Sequence, residues 1–296
     1  MMGKITGKTQ FIEESRKFAI KGFEQIVETP KLNGKHKHVL MNKEDNFFKY
    51  DNFRKRQCPI RRFHHWAGSL TSSQAFAYNI FSGVAKAEFE YDMWALSRDE
   101  WRKACVDVAI ENEDGVLGMY EVKMFEVVGV GINKIFHERP EYLEIENYHH
   151  WSTDEVAKHF KSFIEYVNKR FEGSLIYGGG IKQLCCHLLG ITNEMTNIEC
   201  GKYQQLCNKK VRLYSLCFDH DFGSDYFTRS LNNYQEVLDE FSLMIPNYLE
   251  NVGLQHRIKY CGYLGASEYI EENKEELSGT DNFEYVNKRY FQNTLK

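Results

Sequence analysis

The chain is short of the features that mark several protein classes. It holds four prolines in 296 residues, too few for long proline-rich linkers. No apolar run reaches the roughly 18 residues of a membrane-spanning helix, and no membrane partner is expected. The N-terminal stretch lacks the apolar core of a signal peptide, so the expected location is the cytoplasm. Internal repeats are absent, as is the Gly-x-x-x-x-Gly-Lys-[Ser/Thr] loop that ATP-driven movement would need. None of the eight cysteines forms a C-x-x-C pair, which argues against a zinc ribbon or a thioredoxin-type site. They read as buried, reduced thiols. Cys185, Cys186 and His187 could offer metal ligands, but helix neighbours point to different faces, so no zinc site is expected there.

What is present is an ordinary globular composition, 42% hydrophobic and 27% charged, with a net charge of −4. The charge is unevenly placed. Residues 31–65 carry ten lysines and arginines against three acids, a local +7 that leaves −11 for the remainder. Aromatics interleave with these cations: Phe47, Phe48, Tyr50, Phe53, Phe63 and, just beyond, Trp66. Cations neutralise phosphates and aromatic rings stack on bases, so a nucleic-acid contact is one reading. A solvated, irregular segment with a few anchoring aromatics is the other. In the first reading Arg54, Lys55, Arg56, Arg61, Arg62, Ser73 and Gln74 are candidate DNA contacts.

Helical spacing of apolar residues predicts a helix over 10–28, and the Ser/Thr-rich start of 69–83 predicts a short one ending near Gly83. Residues 87–96 and 103–112 read as strands. Glu113-Asp114-Gly115 is a hairpin signal, and 116–132 continue as a third, apolar strand. These three form an antiparallel meander. Residues 153–171 make an amphipathic helix capped by Thr153, and 181–193 a buried one closed by Gly190. A strand over 209–220, a helix over 233–253 broken near Pro246, and a strand over 257–270 complete the order. The expected fold class is α/β, a mixed sheet flanked by helices. The polar residues 276–296 read as an exposed tail.

One constellation carries chemistry. Asp107 interrupts an apolar strand, and Glu121 and Lys123 sit two apart on the next, so both point to one face. A short hairpin brings Asp107 across from them. Two carboxylates and an ammonium in an apolar setting repel or pair incompletely unless a cation sits between the acids. Mg²⁺ accepts one or two carboxylates with waters and phosphate, and Mn²⁺ can substitute for it. It would acidify a bound water while Lys123 stabilises charge on a phosphoryl group. Glu90 is a candidate third metal ligand with Asp107 and Glu121. Glu88 competes for that role, and Gln183 could approach from its helix. The bland alternative is a cross-strand ion pair between Asp107 and Lys123. A second Glu-x-Lys, Glu272-Asn273-Lys274, lies in a polar segment and reads as surface.

Val106-Asp107-Val108-Ala109-Ile110 followed by Tyr120-Glu121-Val122-Lys123 resembles the PD-(D/E)XK signature of restriction-endonuclease-like nucleases. Residues 69–81 and 181–191 resemble helices of a predicted bacterial restriction endonuclease family with that fold. The resemblance spans roughly residues 60–275 and departs at Val106, where the signature has proline. It implies a restriction-endonuclease-like core over 67–275, preceded by a helix and basic aromatic segment over 1–66. It also implies a Mg²⁺-dependent DNA endonuclease, with Asp107 and Glu121 holding metal and Lys123 assisting the attacking water. Duplex DNA is the implied partner. A homodimer and a methyltransferase encoded nearby would accompany a restriction enzyme. The alternatives are a catalytically silent nucleic-acid-binding module, a repair or non-specific nuclease, and an unrelated α/β protein.

Overall fold

The structure is a computed structural model, and it describes residues 2–95, 103–128, 153–171, 178–196, 206–278 and 281–295. Cys200 and residues 129–132 of the third expected strand lie outside the described residues.

The described elements run in the order α1 (Met2–Glu24), α2 (Asn52–Gln57), α3 (Ser73–Phe81), β1 (Glu88–Trp94), β2 (Lys103–Glu111), β3 (Val116–Lys123), α4 (Asp154–Arg170) and α5 (Gly178–Thr196). They continue with β4 (Lys210–Cys217), α6 (Asp225–Asn251), β5 (Ile258–Gly265), α7 (Ala266–Glu272), α8 (Lys274–Ser278) and α9 (Asn282–Phe291). The strands form one sheet in the order β1-β2-β3-β4-β5. The first three are antiparallel neighbours, whereas β4 and β5 join in parallel. The fold is α/β, with a five-stranded mixed sheet flanked by helices.

Local chemistry accounts for the elements. Gly115 takes φ +72° in the β2–β3 turn, a region open to glycine. The Asn112 side chain accepts from the Val116 amide at 2.8 Å and closes the hairpin. Ser72 Oγ accepts from the Ala75 amide and starts α3, and Thr153 Oγ1 does the same for α4 with Val156. In α4, Val156, Phe160, Phe163, Ile164 and Val167 form the buried stripe. Asp154 and Glu155 oppose Lys169 and Arg170 along its dipole.

Several expectations need correction. α5 does not close at Gly190 but runs through it to Thr196. A Cβ there would lie 2.9 Å from the Met93 Cβ and 3.1 Å from the Ala104 Cβ, so the glycine serves helix-to-sheet approach. α6 also passes unbroken through Pro246. That residue sits on the exposed side, where water can satisfy the freed carbonyl, while Met244, Ile245, Tyr248 and Leu249 hold the helix to the core. The last strand ends at Gly265 and gives way to α7. Residues 282–291 are no exposed tail: Asn282, Val286, Arg289, Tyr290 and Phe291 form a buried helical stripe. Arg289 donates to the Asn46 carbonyl at 2.8 Å and lies over the rings of Phe23 and Tyr290. Residues 1–66 are not set apart either. Phe11, Phe18, Phe47, Cys58 and Ile60 belong to the same apolar core as the sheet. The Glu272/Lys274 pair is exposed, as expected.

Candidate active site

The strand register decides what the hairpin presents. Val108 pairs with Tyr120 and Ala109 with Met119, so continuing the ladder by one step sets Asp107 across from Glu121. On the other side Phe89 pairs with Val108 and Tyr91 with Val106, bracketing Glu90 and Asp107. The sequence thus delivers one row of three acids, Glu90, Asp107 and Glu121, on three adjacent strands. Paired residues at both positions are missing from the ladders. Glu90 adopts φ +54°, a left-handed conformation uncommon for a side-chain-bearing residue. Such local strain persists only where surrounding contacts hold it.

Those contacts are visible. Gln74 Nε2 donates to Glu90 Oε1 at 2.6 Å, and the Arg62 amide donates to Oε2 at 3.0 Å. Gln74 is itself fixed, donating to the Arg62 carbonyl and accepting from the His64 amide. Asp107 and Glu90 line one small pocket with Ile60, Gln74, Ala77, Tyr78 and Phe89. Asp107 Oδ2 accepts from the Val122 amide at 2.7 Å, which ties β2 to β3 where their ladder ends. Burial pushes the Asp107 carboxyl well up, and the Glu121 charge adds to this. Lys123 and the Val122 amide oppose it.

Glu121 and Lys123 are buried, and the ammonium bonds Glu121 Oε1. His187 Nε2 of α5 reaches Oε2 of the same carboxylate at 2.6 Å. Burial pushes Glu121 upward, but Lys123 and then His187 outweigh it and hold the carboxyl at about 2. At neutral pH Glu121 is therefore ionised, and His187 donates to it from Nε2. The acids and the amine carry opposed tendencies: one carboxyl favours its proton, the next is held as an anion.

The bland alternative pairs Lys123 with Asp107; the structure shows the ammonium bonded to Glu121, while Asp107 accepts from the Val122 amide. Two expected helpers do not take part: Glu88 and Gln183 are exposed. His187, to which the sequence assigned no part in this site, takes the place expected of Gln183. A signal was available, since Ile181, Leu184, Leu188 and Ile191 are buried and His187 falls in their stripe while Gln183 does not. Glu126 accepts from the Met124 amide and lies in a neighbouring cleft. Among the candidate DNA contacts, Gln74 is buried beside Glu90, Arg54 donates to the Ser82 carbonyl, and Lys55 pairs with Glu44 at 2.7 Å. Gln74 and Arg54 are thereby engaged in holding the N-terminal segment to the core, whereas the Lys55–Glu44 pair lies on the surface of that segment. Arg56, Arg61 and Arg62 are exposed and Ser73 is half-buried. Arg61 lies 3.7 Å from Asp92.

Among the described residues, no three His, Cys, Asp or Glu side chains are grouped closely enough to hold a metal ion by themselves. Mg²⁺ does not require that, because it commonly keeps waters and takes only one or two carboxylates. The repulsion between Asp107 and Glu121 fits an added cation. No helix among the described residues is long and apolar enough to cross a membrane. Compared with known proteins, the chain matches no family model, no curated protein and no solved structure.

Proposed function

We propose that the chain is a Mg²⁺-dependent DNA endonuclease on a restriction-endonuclease-like core. The observation that carries this reading is the junction of β2 and β3. Asp107 bonds the backbone between Glu121 and Lys123, and burial together with the Glu121 charge disfavours ionisation of Asp107. Two acids and a buried amine at one strand junction suit phosphodiester hydrolysis once a cation joins them. Asp107 and Glu121 would hold the ion, which would supply charge neutralisation and a more acidic water. Glu90 stands in the same pocket as Asp107 and is a candidate third acid once Gln74 and the Arg62 amide release it.

The chain's own residues do the rest. Lys123, buried and oriented by Glu121, directs a compact positive charge toward the reacting phosphoryl oxygens. His187 fixes the second Glu121 oxygen, so the carboxylate turns as a unit with α5. The α3 residue Gln74 holds the β1 edge in place. Exposed Arg61 and Arg62 flank this edge and suit contacts to phosphates, which position a duplex without reading its sequence, and Arg56 is exposed on α2.

The test is incubation of supercoiled plasmid with the protein and Mg²⁺, with EDTA and Lys123→Ala as controls. Metal-dependent cleavage that Lys123→Ala lowers by at least about a hundred-fold is expected. DNA that is bound yet left intact under all metals would favour a silent binding module. End-sequencing separates the finer classes: discrete ends indicate restriction, and scattered ends a repair or non-specific nuclease.

A further inference from the structure

Beside the acid row lies an open cleft of about 470 Å³ that the catalytic reading does not use. Arg16 of α1, His36, His38, His64, His65 and Trp66 line it. Five cation-capable groups thus converge from three parts of the chain. Ser72 and Ser73, where α3 begins, add hydroxyls, and among the described residues Glu126 is the one acid on the wall. Lys43 donates to the His64 carbonyl from behind. Burial pushes His38 down, and Arg16 and His36 press in the same direction. An anion seated among them would reverse that penalty.

The cleft also has an aromatic platform. Trp66 is 52% exposed, unusual for a large apolar side chain. His36 and His65 meet its ring edge-on, with centroids 5.6 and 4.9 Å away, and so hold the indole upright at the cleft mouth. The space lies within the range of about 300–1,000 Å³ that takes a small-molecule-sized unit. Two links join it to the acid row. His64 Nε2 stands 3.5 Å from Glu90 Oε1, and Glu126 follows Lys123 by one turn of chain.

We infer that this cleft seats one unpaired nucleotide of a nucleic-acid strand, its phosphate among Arg16 and the histidines and its base against Trp66. A paired duplex hides its base faces and offers only phosphates on a convex surface, so it would leave the indole unused. An unpaired end or flap offers both at once. The site's placement beside Glu90 and Glu126 rests on the nuclease reading, and it adds to that reading a preference for DNA in which an unpaired nucleotide adjoins the duplex. An anion in the cleft favours the protonated form of His38, which burial, Arg16 and His36 disfavour in the free protein, so affinity falls as pH rises. Arg16, His36, His64, His65 and Glu126 share the cleft with His38.

The test is binding without cleavage, by fluorescence anisotropy in EDTA. Labelled duplexes with a single-stranded 5′ overhang are compared with the blunt duplex, and DNA overhangs with RNA overhangs to separate the two sources. Overhangs should bind at least about ten-fold tighter than blunt ends. Trp66→Ala should remove about that factor and Trp66→Phe should keep it, as base stacking predicts. Trp66 is exposed, so neither change threatens folding, and His38→Gln should flatten the pH dependence as an independent check. Equal affinity for blunt and overhanging ends, or overhang binding unmoved by Trp66→Ala, overturns the inference. Because no metal is present in the binding assay, selective overhang binding with neither plasmid nor overhang duplex cut in Mg²⁺ would sink the nuclease reading alone. Cleavage without overhang preference would sink this one alone.

Discussion

The Glu121–Lys123 pair permits a quantitative test of the site without any substrate. Glu121 is 1% exposed and Lys123 5%. The Glu121 carboxyl is held at about 2, against an ordinary 4.5. At about 1.4 kcal/mol per pH unit, that gap corresponds to roughly 3 kcal/mol favouring the folded state. Burial pushes the other way, so Lys123 and His187 together supply more than this net amount. The sign is fixed by the direction of the shift. A depressed carboxyl contributes fully above pH 4.5, and the contribution fades as pH falls toward 2. The perturbation is a double-mutant cycle of Glu121→Gln and Lys123→Met, read by urea unfolding at pH 7 with linear extrapolation. Each single change strands a buried charge and should cost about 3–5 kcal/mol. The double change removes both charges and should cost well under the sum, leaving a coupling of about 2–4 kcal/mol. At pH 3 the coupling should shrink to about half as Glu121 in the unfolded chain takes up its proton. A coupling below about 1 kcal/mol, the range of exposed pairs, would refute the geometry. The amine and acid would then be solvated, and the hairpin would present an ordinary surface.

Two further outcomes follow from burial elsewhere. Glu194 of α5 is 1% exposed, and burial pushes its carboxyl up to about 8, the Trp94 backbone opposing only weakly. The folded protein then keeps a proton that the unfolded chain releases above pH 4.5, so stability falls with rising pH up to about 8. Glu194→Gln removes this cost, and its advantage should grow by about 1.4 kcal/mol per pH unit through that window; a pH-independent difference in unfolding between pH 5 and 8 would refute it. Gly22 of α1 faces α9 so closely that a Cβ would lie 2.0 Å from the Arg289 carbonyl oxygen. Gly22→Ala should destabilise by about 1–3 kcal/mol through overpacking, and an unchanged melting temperature would mean that α9 is not docked there.

The parts of this protein legible in its sequence are those written in local periods. Alternation in 103–123 with Gly115 between specified the hairpin, because a period of two and a left-handed turn need no distant partner. That same period put Asp107, Glu121 and Lys123 within one structural unit. The reading of 276–296 as a tail failed because charge content masked a helical stripe whose apolar positions are sparse. It becomes a core element only when α1, α3 and the Asn46 loop supply its other half. Pro246 and Gly190 misled for a related reason. Each is a local breaker in isolation, but one faces water and the other faces a strand that requires a missing Cβ.

By itself, then, the sequence determined the mixed α/β class, the acid-bearing hairpin and the spacing of its ionisable groups. Tertiary structure decided which groups meet: His187 rather than Gln183 on Glu121, Lys123 with Glu121 rather than Asp107, and Gln74 clamping Glu90 instead of facing solvent. The reason is physical. Strand and turn patterns are set by neighbours along the chain, whereas the partner of a buried charge is set by whichever polar group packing brings within hydrogen-bond reach.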